Sequence, residues 1–495
     1  MKKLKKTIKI IIRNLKKEYN NRNITKKNKK KKKKLPKILS ITLLVSVIIF
    51  FLLLFYIHII NTFLTILLLL VFLALVFGIS ILNFKRVRIY RIIGYILSTI
   101  LITIILLIGS YLFNTLGFLF NVTDGDYTIK NYNVIVLSDS KYTKLKELKK
   151  LEIGISQTQQ SSEMTKAMQK LHKKLKNTTK EYDDVDALIK ALNNEEIEVI
   201  ILENSEIELL KDENPEFSNQ YKIIYQLKIR NDIKDLKNAI NINKEPFNIY
   251  LSGIDTFGSI NATSRSDVNI VLTVNPVTEQ IHITWIPRDY YVKINNTEYY
   301  DKLTHAGIYG IESSIYAIEN LLDIDINYYV KVNFTSVIEL VDLLGGITIY
   351  NEEAFTSKDG FYYEVGNLTL DGIHALSYVR ERDNVAGGDL GRGKNQVKVL
   401  TNLLNKIMSK DIIKNYHDIL KATKNDFLTN MNEKTMFAFI RHEISHKRNW
   451  QIDSYNLTGT NSFEYTYSYK KHKLYVMLPD EAALKEIQNK LHNIL

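Results

Sequence analysis

From Ile38 to Phe84 the chain runs for 47 residues without one Asp, Glu, Lys or Arg. About 20 apolar residues cross a bilayer as a helix. The run therefore predicts two spanning helices, at about 38–58 and 62–84, with a tight turn at its most polar point, His58–Thr62. A second uncharged run, Ile92 to Thr123, predicts a third helix at about 92–113. A secretory signal is a poor fit, because its apolar core spans only ~7–15 residues before a small-residue cleavage site.

Charge sets the expected orientation. The formal total of +14 is concentrated in residues 1–37, which hold 16 Lys and 2 Arg against Glu18 alone. Lys85, Arg86, Arg88 and Arg91 form a second basic segment, and residues 92–495 sum to −7. Lys and Arg favour the cytoplasmic side. The tail and the second loop are expected inside, and everything after about residue 123 outside, in a multi-pass protein of the cell membrane. The tail, with Lys29–Lys34, reads as a topological anchor that touches anionic membrane lipids; its alternative reading is nucleic-acid contact. With the remainder acidic, no nucleic-acid partner is expected. The absence of Cys excludes thiol catalysis, Cys-based zinc sites and disulfides.

The external part divides in two. Residues 124–240 alternate strand-like stretches (Asn133–Leu137, Leu151–Ile155, Ile197–Leu202) with helical ones (Ser161–Leu175, Asp184–Leu192), which predicts a small α/β accessory domain with partly parallel strands. It resembles part of a solute-binding fold; ligand binding and protein docking both stay open. After a polar connection, Asn231–Glu245, a second domain occupies 246–495. Three strands are predicted there: Phe247–Ile254 ending at Asp255, a strand from Asp267 to Val274, and Ile281–Ile286 ending at Arg288. In an antiparallel meander Asp255, Asp267 and Arg288 gather at one end of the sheet. Further along, Arg380 and Arg382 on an extended segment project to the same side. Arg392 and Gln396 share a face near a helix start. Arginine forks and a helix N-terminus both favour phosphate oxygens, so the cluster reads as a phosphate clamp or as a surface salt network with Glu381, Asp383 and Asp389.

Seven segments in order carry a family resemblance: Ser252–Asp255, Ser264–Asp267, Ile286–Asp289, Lys302–Gly307, Leu344–Gly346, Leu370–Arg382 and Gly388–Gln396. Together they resemble the LytR–CpsA–Psr (LCP) family of cell-wall glycopolymer transferases, over residues 246–495. The three helices and the accessory domain are similar to its capsule-associated branch. The resemblance implies an α/β/α sandwich with a largely antiparallel central sheet, an apolar groove for a lipid tail, and transfer of a glycopolymer, whether capsular polysaccharide or teichoic acid, from a polyprenyl-pyrophosphate carrier to peptidoglycan. It implies catalytic roles for Asp255, Asp267 and Arg288, Mg²⁺ at Asp255 and Asp267, and pyrophosphate binding by Arg265, Arg288, Arg380, Arg382, Arg392 and Gln396. Lys394 stands where relatives often carry Arg.

Competing features remain. His442-Glu443-Ile-Ser-His446 matches H-E-x-x-H, a zinc-protease signature, with Glu464 as a possible third ligand; the extended form fails at Asn449 and Ile452. His305 reads as a structural loop histidine, Trp285 as core, and Tyr465–Tyr469 as a strand with aromatic pairs or a sugar contact. Rival functions are a transcriptional attenuator, a polyprenyl-pyrophosphate pyrophosphatase, a zinc protease and a non-catalytic lipid-carrier sensor.

Overall fold

The structure, a computed structural model, describes residues 34–56, 62–122, 127–232 apart from 160 and 215, 240–254, 260, 264–408 apart from 295 and 296, and 427–495 apart from 433, 434, 437, 440, 441, 444–447 and 471. Two units make up the chain, Met1–Gly117 and Phe118–Leu495.

Three helices of the first unit are long and apolar enough to cross a membrane: α1 (Lys34–Tyr56), α2 (Thr62–Phe84) and α3, whose apolar part is Arg88–Phe113. Of the expected turn His58–Thr62, residues 58–61 lie outside the described residues, as does the tail before residue 34, and Thr62 opens α2. Helix α3 continues to Val122, past the expected end; no proline or charge interrupts it. Leu43, Val47 and Phe51 of α1 pack with Val76 of α2 and Ile105 of α3. Buried Asn83 donates from Nδ2 to Ser40 Oγ (3.1 Å) and Ser98 Oγ (3.0 Å), which ties α2 to both neighbours. Such polar ties are a common way to join helices where no hydrophobic driving force operates.

The second unit starts with a five-stranded sheet ordered β3-β2-β4-β1-β5. Its strands are β1 (Tyr127–Leu137), β2 (Ile153–Ser156), β3 (Thr179–Tyr182), β4 (Ile200–Glu203) and β5 (Tyr221–Asp232). Helices α4 (Ser162–Leu175) and α5 (Val185–Asn193) are capped by Ser161 and Asp184, whose side chains accept from Met164 and Ala187 N–H. These are the two helices expected, since Ser and Asp satisfy free amides of the first turn. Strands β3 and β5 were not expected: β3 (Thr-Lys-Glu-Tyr) has little apolar patterning and is only half buried at its ends. Helix α6 (Asn204–Glu213) and the single turn α7 (Phe217–Gln220) complete the module.

The larger sheet is ordered β16-β11-β6-β7-β8-β17. Its centre is the expected meander: β6 (Phe247–Ile254), β7 (Ser266–Asn275) and β8 (Gln280–Ile286), antiparallel throughout. Strands β11 (Tyr328–Val332) and β17 (Gln451–Asn456) add in parallel to β6 and β8, and β16 (Phe427–Thr429) adds antiparallel to β11. On one face lie α8 (Leu303–Tyr309), α9 (Ile311–Leu322) and a C-terminal helix, Glu481–Ile494, around Tyr250, Val271, Ile286 and Tyr329. On the other lies α12 (Asp389–Ile407), over Ile281, Ile283 and Trp285. The expected sandwich is thus present, with a mixed sheet of three antiparallel and two parallel pairings. Short hairpins flank it: β9 (Tyr291–Lys293) with β10 (Tyr300–Lys302), β12 (Ile347–Asn351) with β15 (Gly366–Leu370), β13 (Phe355–Thr356) with β14 (Tyr362–Tyr363), and β18 (Gly459–Glu464) with β19 (Leu474–Pro479). Helices α10 (Phe334–Leu343) and α11 (Gly372–Arg380) pack beside them.

Candidate active site

The meander brings Asp267, at the start of β7, to Arg288, just past the end of β8. Arg288 Nη1 lies 3.1 Å from Asp267 Oδ2, and Thr304 at the start of α8 donates from Oγ1 to Asp267 Oδ1 at 3.0 Å. Thr304 N–H also donates to Arg288 O, so one residue of α8 fixes both partners. Arg288 has two further anions near its Nε, Asp289 at 3.7 Å and Asp389 at 4.0 Å. Burial alone would lower the Arg288 guanidinium, but these three carboxylates outweigh it and raise the pKa. Asp255 lies outside the described residues.

A cavity of about 340 Å³ opens beside this pair, walled by Asp267, Arg380, Arg382, Arg392 and Gln396 together with apolar Ile254, Val268, Phe334, Val337 and Val379. Three of the expected arginines therefore converge. Their local origin differs from the expectation. Asp371 caps a helix by accepting from His374 N–H, and Arg380 is the last residue of that helix, α11, so it does not lie on an extended segment. Its guanidinium stacks over the Phe334 ring at 4.3 Å. Arg382 follows in a loop held by Glu381, whose carboxylate accepts backbone N–H groups of Lys358, Arg382, Asp383 and Asn384. Although burial raises the Glu381 pKa, those four donors prevail and lower it. Glu381 thus organises the loop and makes no ion pair with the arginines; Arg382 pairs with Asp383 at 3.0 Å.

Helix α12 supplies the third side. Gly387 and Gly388 have φ of 81° and 58°, a left-handed region that glycine enters without strain, and they turn the chain into the helix. Arg392 and Gln396 share a face, as expected, and both are buried. Arg392 Nη2 lies 2.5 Å from Asp389 Oδ1. Burial raises the Asp389 carboxyl and lowers the Arg392 guanidinium, so this pair is costly in isolation. Arg392 Nη2 is engaged by that ion pair, whereas Arg288 Nε and Arg392 Nε are buried donors without a formed hydrogen bond. Gln396 accepts from Trp285 Nε1 at 2.8 Å and donates to Val379 O, so its amide oxygen is engaged in the core. Trp285 is core, as expected, at 1% exposure. Arg265 is half-buried and does not line the cavity; Lys394 lines a separate one with Glu352, Glu353 and Lys398.

Thr304 and Asp389 received no site role from sequence reasoning. Lys302-Leu-Thr-His was noted only as a matching segment, and its function as a brace for Asp267 needed the fold. His305 is helical, not in a loop as expected, and donates from Nδ1 to Asp301 Oδ1 (2.7 Å) in a buried structural pair. Tyr465–Tyr469 follows β18 as a loop, not as a strand, because the pairing with β19 stops at Glu464. In the zinc signature, Glu443 accepts from Arg448 (2.7 Å) and Trp450 Nε1 (2.9 Å); His446 lies outside the described residues. No group of three metal-type ligands occurs among the described residues. Mg²⁺ does not require one, since it is typically held by one or two carboxylates, substrate phosphates and water. Asp267, on the cavity wall, is a donor of the right chemistry.

The accessory domain touches α8. Leu209 of α6 packs with Ile308 and Tyr469, and Tyr469 O–H donates to Leu209 O. Beside this contact, burial and then Glu203 push the Glu206 carboxyl up from 4.5 to about 7, with Lys470 opposing. The folded chain holds that proton more tightly than the unfolded one. Its contribution therefore favours folding below the unfolded value and is lost as pH rises to about 7. Glu206→Gln should flatten this slope in thermal melts of the full-length protein and raise stability above neutral pH by up to about 3 kcal/mol.

Comparison with known proteins places these residues in a wider group. The LytR_cpsA_psr family model matches residues 217–493. The chain is 36% identical over 262 residues to the polyisoprenyl-teichoic acid–peptidoglycan teichoic acid transferase TagU of Enterococcus faecalis, covering 52% of this chain and 83% of that one. It is 34% identical over 263 residues to TagU of Bacillus subtilis, covering 53% and 82%. Among solved structures, that of B. subtilis TagV is 27% identical with a TM-score of 0.43, covering 51% of this chain and 98% of that one. TagT bound to LI-WTA is 28% identical with a TM-score of 0.42, covering 53% and 95%.

Proposed function

The chain belongs to the LytR–CpsA–Psr family, and we propose that it is a membrane-anchored phosphotransferase moving a glycopolymer from a polyprenyl-pyrophosphate carrier to peptidoglycan. The observation that carries this reading is the convergence of Arg380, Arg382 and Arg392 with Asp267 on one cavity, with Arg288 paired to Asp267 beside it and the buried Nε groups of Arg288 and Arg392 without a formed hydrogen bond. Buried donors without partners cost stability, and a pyrophosphate would satisfy them with charge-assisted bonds. The relatives named as teichoic acid transferases support an anionic cell-wall polymer, of teichoic-acid or capsular type.

The chemistry follows from these groups. A peptidoglycan hydroxyl, the muramic acid 6-hydroxyl in our reading, attacks the phosphorus that carries the glycan. The bond from that phosphorus to the bridging oxygen breaks, polyprenyl phosphate leaves, and a phosphodiester joins polymer to wall. The hydroxyl proton passes to a carboxylate, which we assign to Asp255. Such transfer needs positioning and charge stabilisation more than a protein nucleophile. Arg380, Arg382, Arg392 and Arg288 orient the two phosphates, and the apolar wall at Phe334 and Val337 receives the start of the lipid. Asp267 would hold Mg²⁺, which supplies further charge neutralisation when bound, and this leaves Asp255 free as the base. The basic tail and loop support a topology with the N-terminus inside and this domain outside, where peptidoglycan lies.

The test is reconstitution of the full-length protein in nanodiscs with a polyprenyl-pyrophosphate-linked polymer and peptidoglycan. Expected products are wall-linked phosphodiester and polyprenyl phosphate. Free polymer without linkage would establish the pyrophosphatase instead.

A further inference from the structure

We propose that the β18–β19 hairpin is the docking surface for the acceptor glycan strand. Antiparallel pairing sets Asn461 opposite Met477 and Phe463 opposite Tyr475. Side chains alternate along a strand, so Asn461 and Phe463 share one face with Met477 and Tyr475, and Tyr465 with Lys473 over its ring continues from the hairpin's end just past the paired residues. This face begins at the active site: Met477 N–H donates to Asp289 O, and Asp289 is the neighbour of Arg288. Lys302 bridges the two regions, bonding Asp289 at 2.9 Å while its ammonium sits over the Tyr475 ring at 5.5 Å. From that root the face extends for about 7 Å, two residues of strand, to the Phe463–Tyr475 pair.

The far end of the face is aromatic and open. Phe463 is 61% and Tyr465 55% exposed. They are held in place: Phe463 meets Tyr475 edge-on at 6.1 Å, and the Tyr465 backbone carbonyl accepts from Tyr291 O–H at 2.7 Å. Lys473 lies over the Tyr465 ring at 5.7 Å. Fixed rings interleaved with hydroxyl, amide and ammonium groups match a sugar strand, whose pyranose C–H faces stack on aromatics while its hydroxyls and carboxylates need polar partners. Tyr475 O–H donates to Asn461 Oδ1 at 2.9 Å and Lys473 lies 3.8 Å from Glu464, a polar setting beside the rings that suits sugar hydroxyls and that an acyl chain would not use. Because the cavity on the arginine side is shaped for the donor pyrophosphate, an acceptor arriving along this hairpin reaches the Asp267–Arg288 pair from its other flank.

That the strand is the acceptor, and not a glycan of another kind, rests on the transferase reading. The experiment separates the two. Detergent-solubilised full-length protein is co-sedimented with purified peptidoglycan sacculi, with peptide-free glycan strands as competitor. Wild type and Arg380→Ala should sediment alike and be competed off. The Phe463→Ala/Tyr465→Ala double variant should bind at least about tenfold more weakly, with donor binding unchanged as evidence of intact folding. Tyr362→Ala, which removes an equally exposed ring elsewhere, should have no effect. In transfer assays the double variant should raise the KM for acceptor and leave kcat at saturating acceptor unchanged. Sedimentation of the double variant equal to wild type, failure of strands to compete, or transfer with an unaltered acceptor KM would each overturn the proposal while leaving the transferase reading in place. Ring-dependent sedimentation by a protein that transfers nothing would uphold the glycan surface and overturn the transferase reading.

Discussion

Asp267→Asn is expected to slow glycopolymer transfer by about a hundred- to a thousand-fold with the fold intact. Asparagine keeps the shape and can still accept from Thr304 Oγ1. Arg288 is not stranded by the change, because Asp289 and Asp389 remain near its Nε; a buried charge left alone would cost about 3–5 kcal/mol. What is lost is the one carboxylate on the cavity wall that is fixed by both an arginine and a threonine. Single-turnover rates at saturating donor measure this, alongside donor affinity in metal-free buffer. That affinity should hold or tighten, since an anion beside the pyrophosphate site has been removed. Arg392→Lys should do the reverse, weakening donor binding through loss of the planar fork while keeping the charge near Asp389. Wild-type turnover by Asp267→Asn would remove this residue from the chemistry.

The second large effect is structural. Gly393→Ala should destabilise the sandwich by about 1–3 kcal/mol or more and lower transfer as well. A Cβ at Gly393 would lie 2.4–2.6 Å from three ring atoms of Trp285. That ring cannot swing aside, being fully buried and bonded to Gln396. Helix α12 must therefore lift from β8, carrying Arg392 and Gln396 with it. A displacement of about 1 Å at a positioned group can cost a hundredfold in rate. Combining Gly393→Ala with Trp285→Phe, which shrinks the ring under the helix, should recover part of the lost melting temperature, a coupling readable in a double-mutant cycle.

Local signals made some of this legible in advance. The spanning helices announced themselves by length, and the β6–β7–β8 meander by short apolar runs broken at Asp255, Asp267 and Asn275-Pro276. Antiparallel geometry then joined Asp267 to Arg288 without further information. The arginines of α11 and α12 were recognisable as a cluster, but not their support. Gly372–Arg380 is a helix because Asp371 caps it, a signal that was present and not used. Thr304 sits in the matching segment Lys302–Gly307, but its role depends on α8 arriving at the sheet edge, which no local pattern states. Strand β3 escaped because its half-exposed edge segment carries weak periodicity, whereas β5 alternates Tyr225, Leu227 and Ile229 with Gln226, Lys228 and Arg230, a signal that was present and not used.

The pairing order of the central sheet also governs how the protein comes into being. Neighbouring strands β6, β7 and β8 can pair as soon as they are made, and with them Asp267 and Arg288. The outer side of β8, by contrast, waits for β17: His282 and its partner Asp453 are 171 residues apart. Loops closed over such distances form slowly. During synthesis β8 therefore presents an unpaired apolar edge, Ile281 to Ile286, for as long as the ribosome needs to deliver residues 451–456, and open edges recruit other chains. Yield of this protein on overproduction should accordingly be set by the crowding of nascent chains more than by the stability of the finished sandwich.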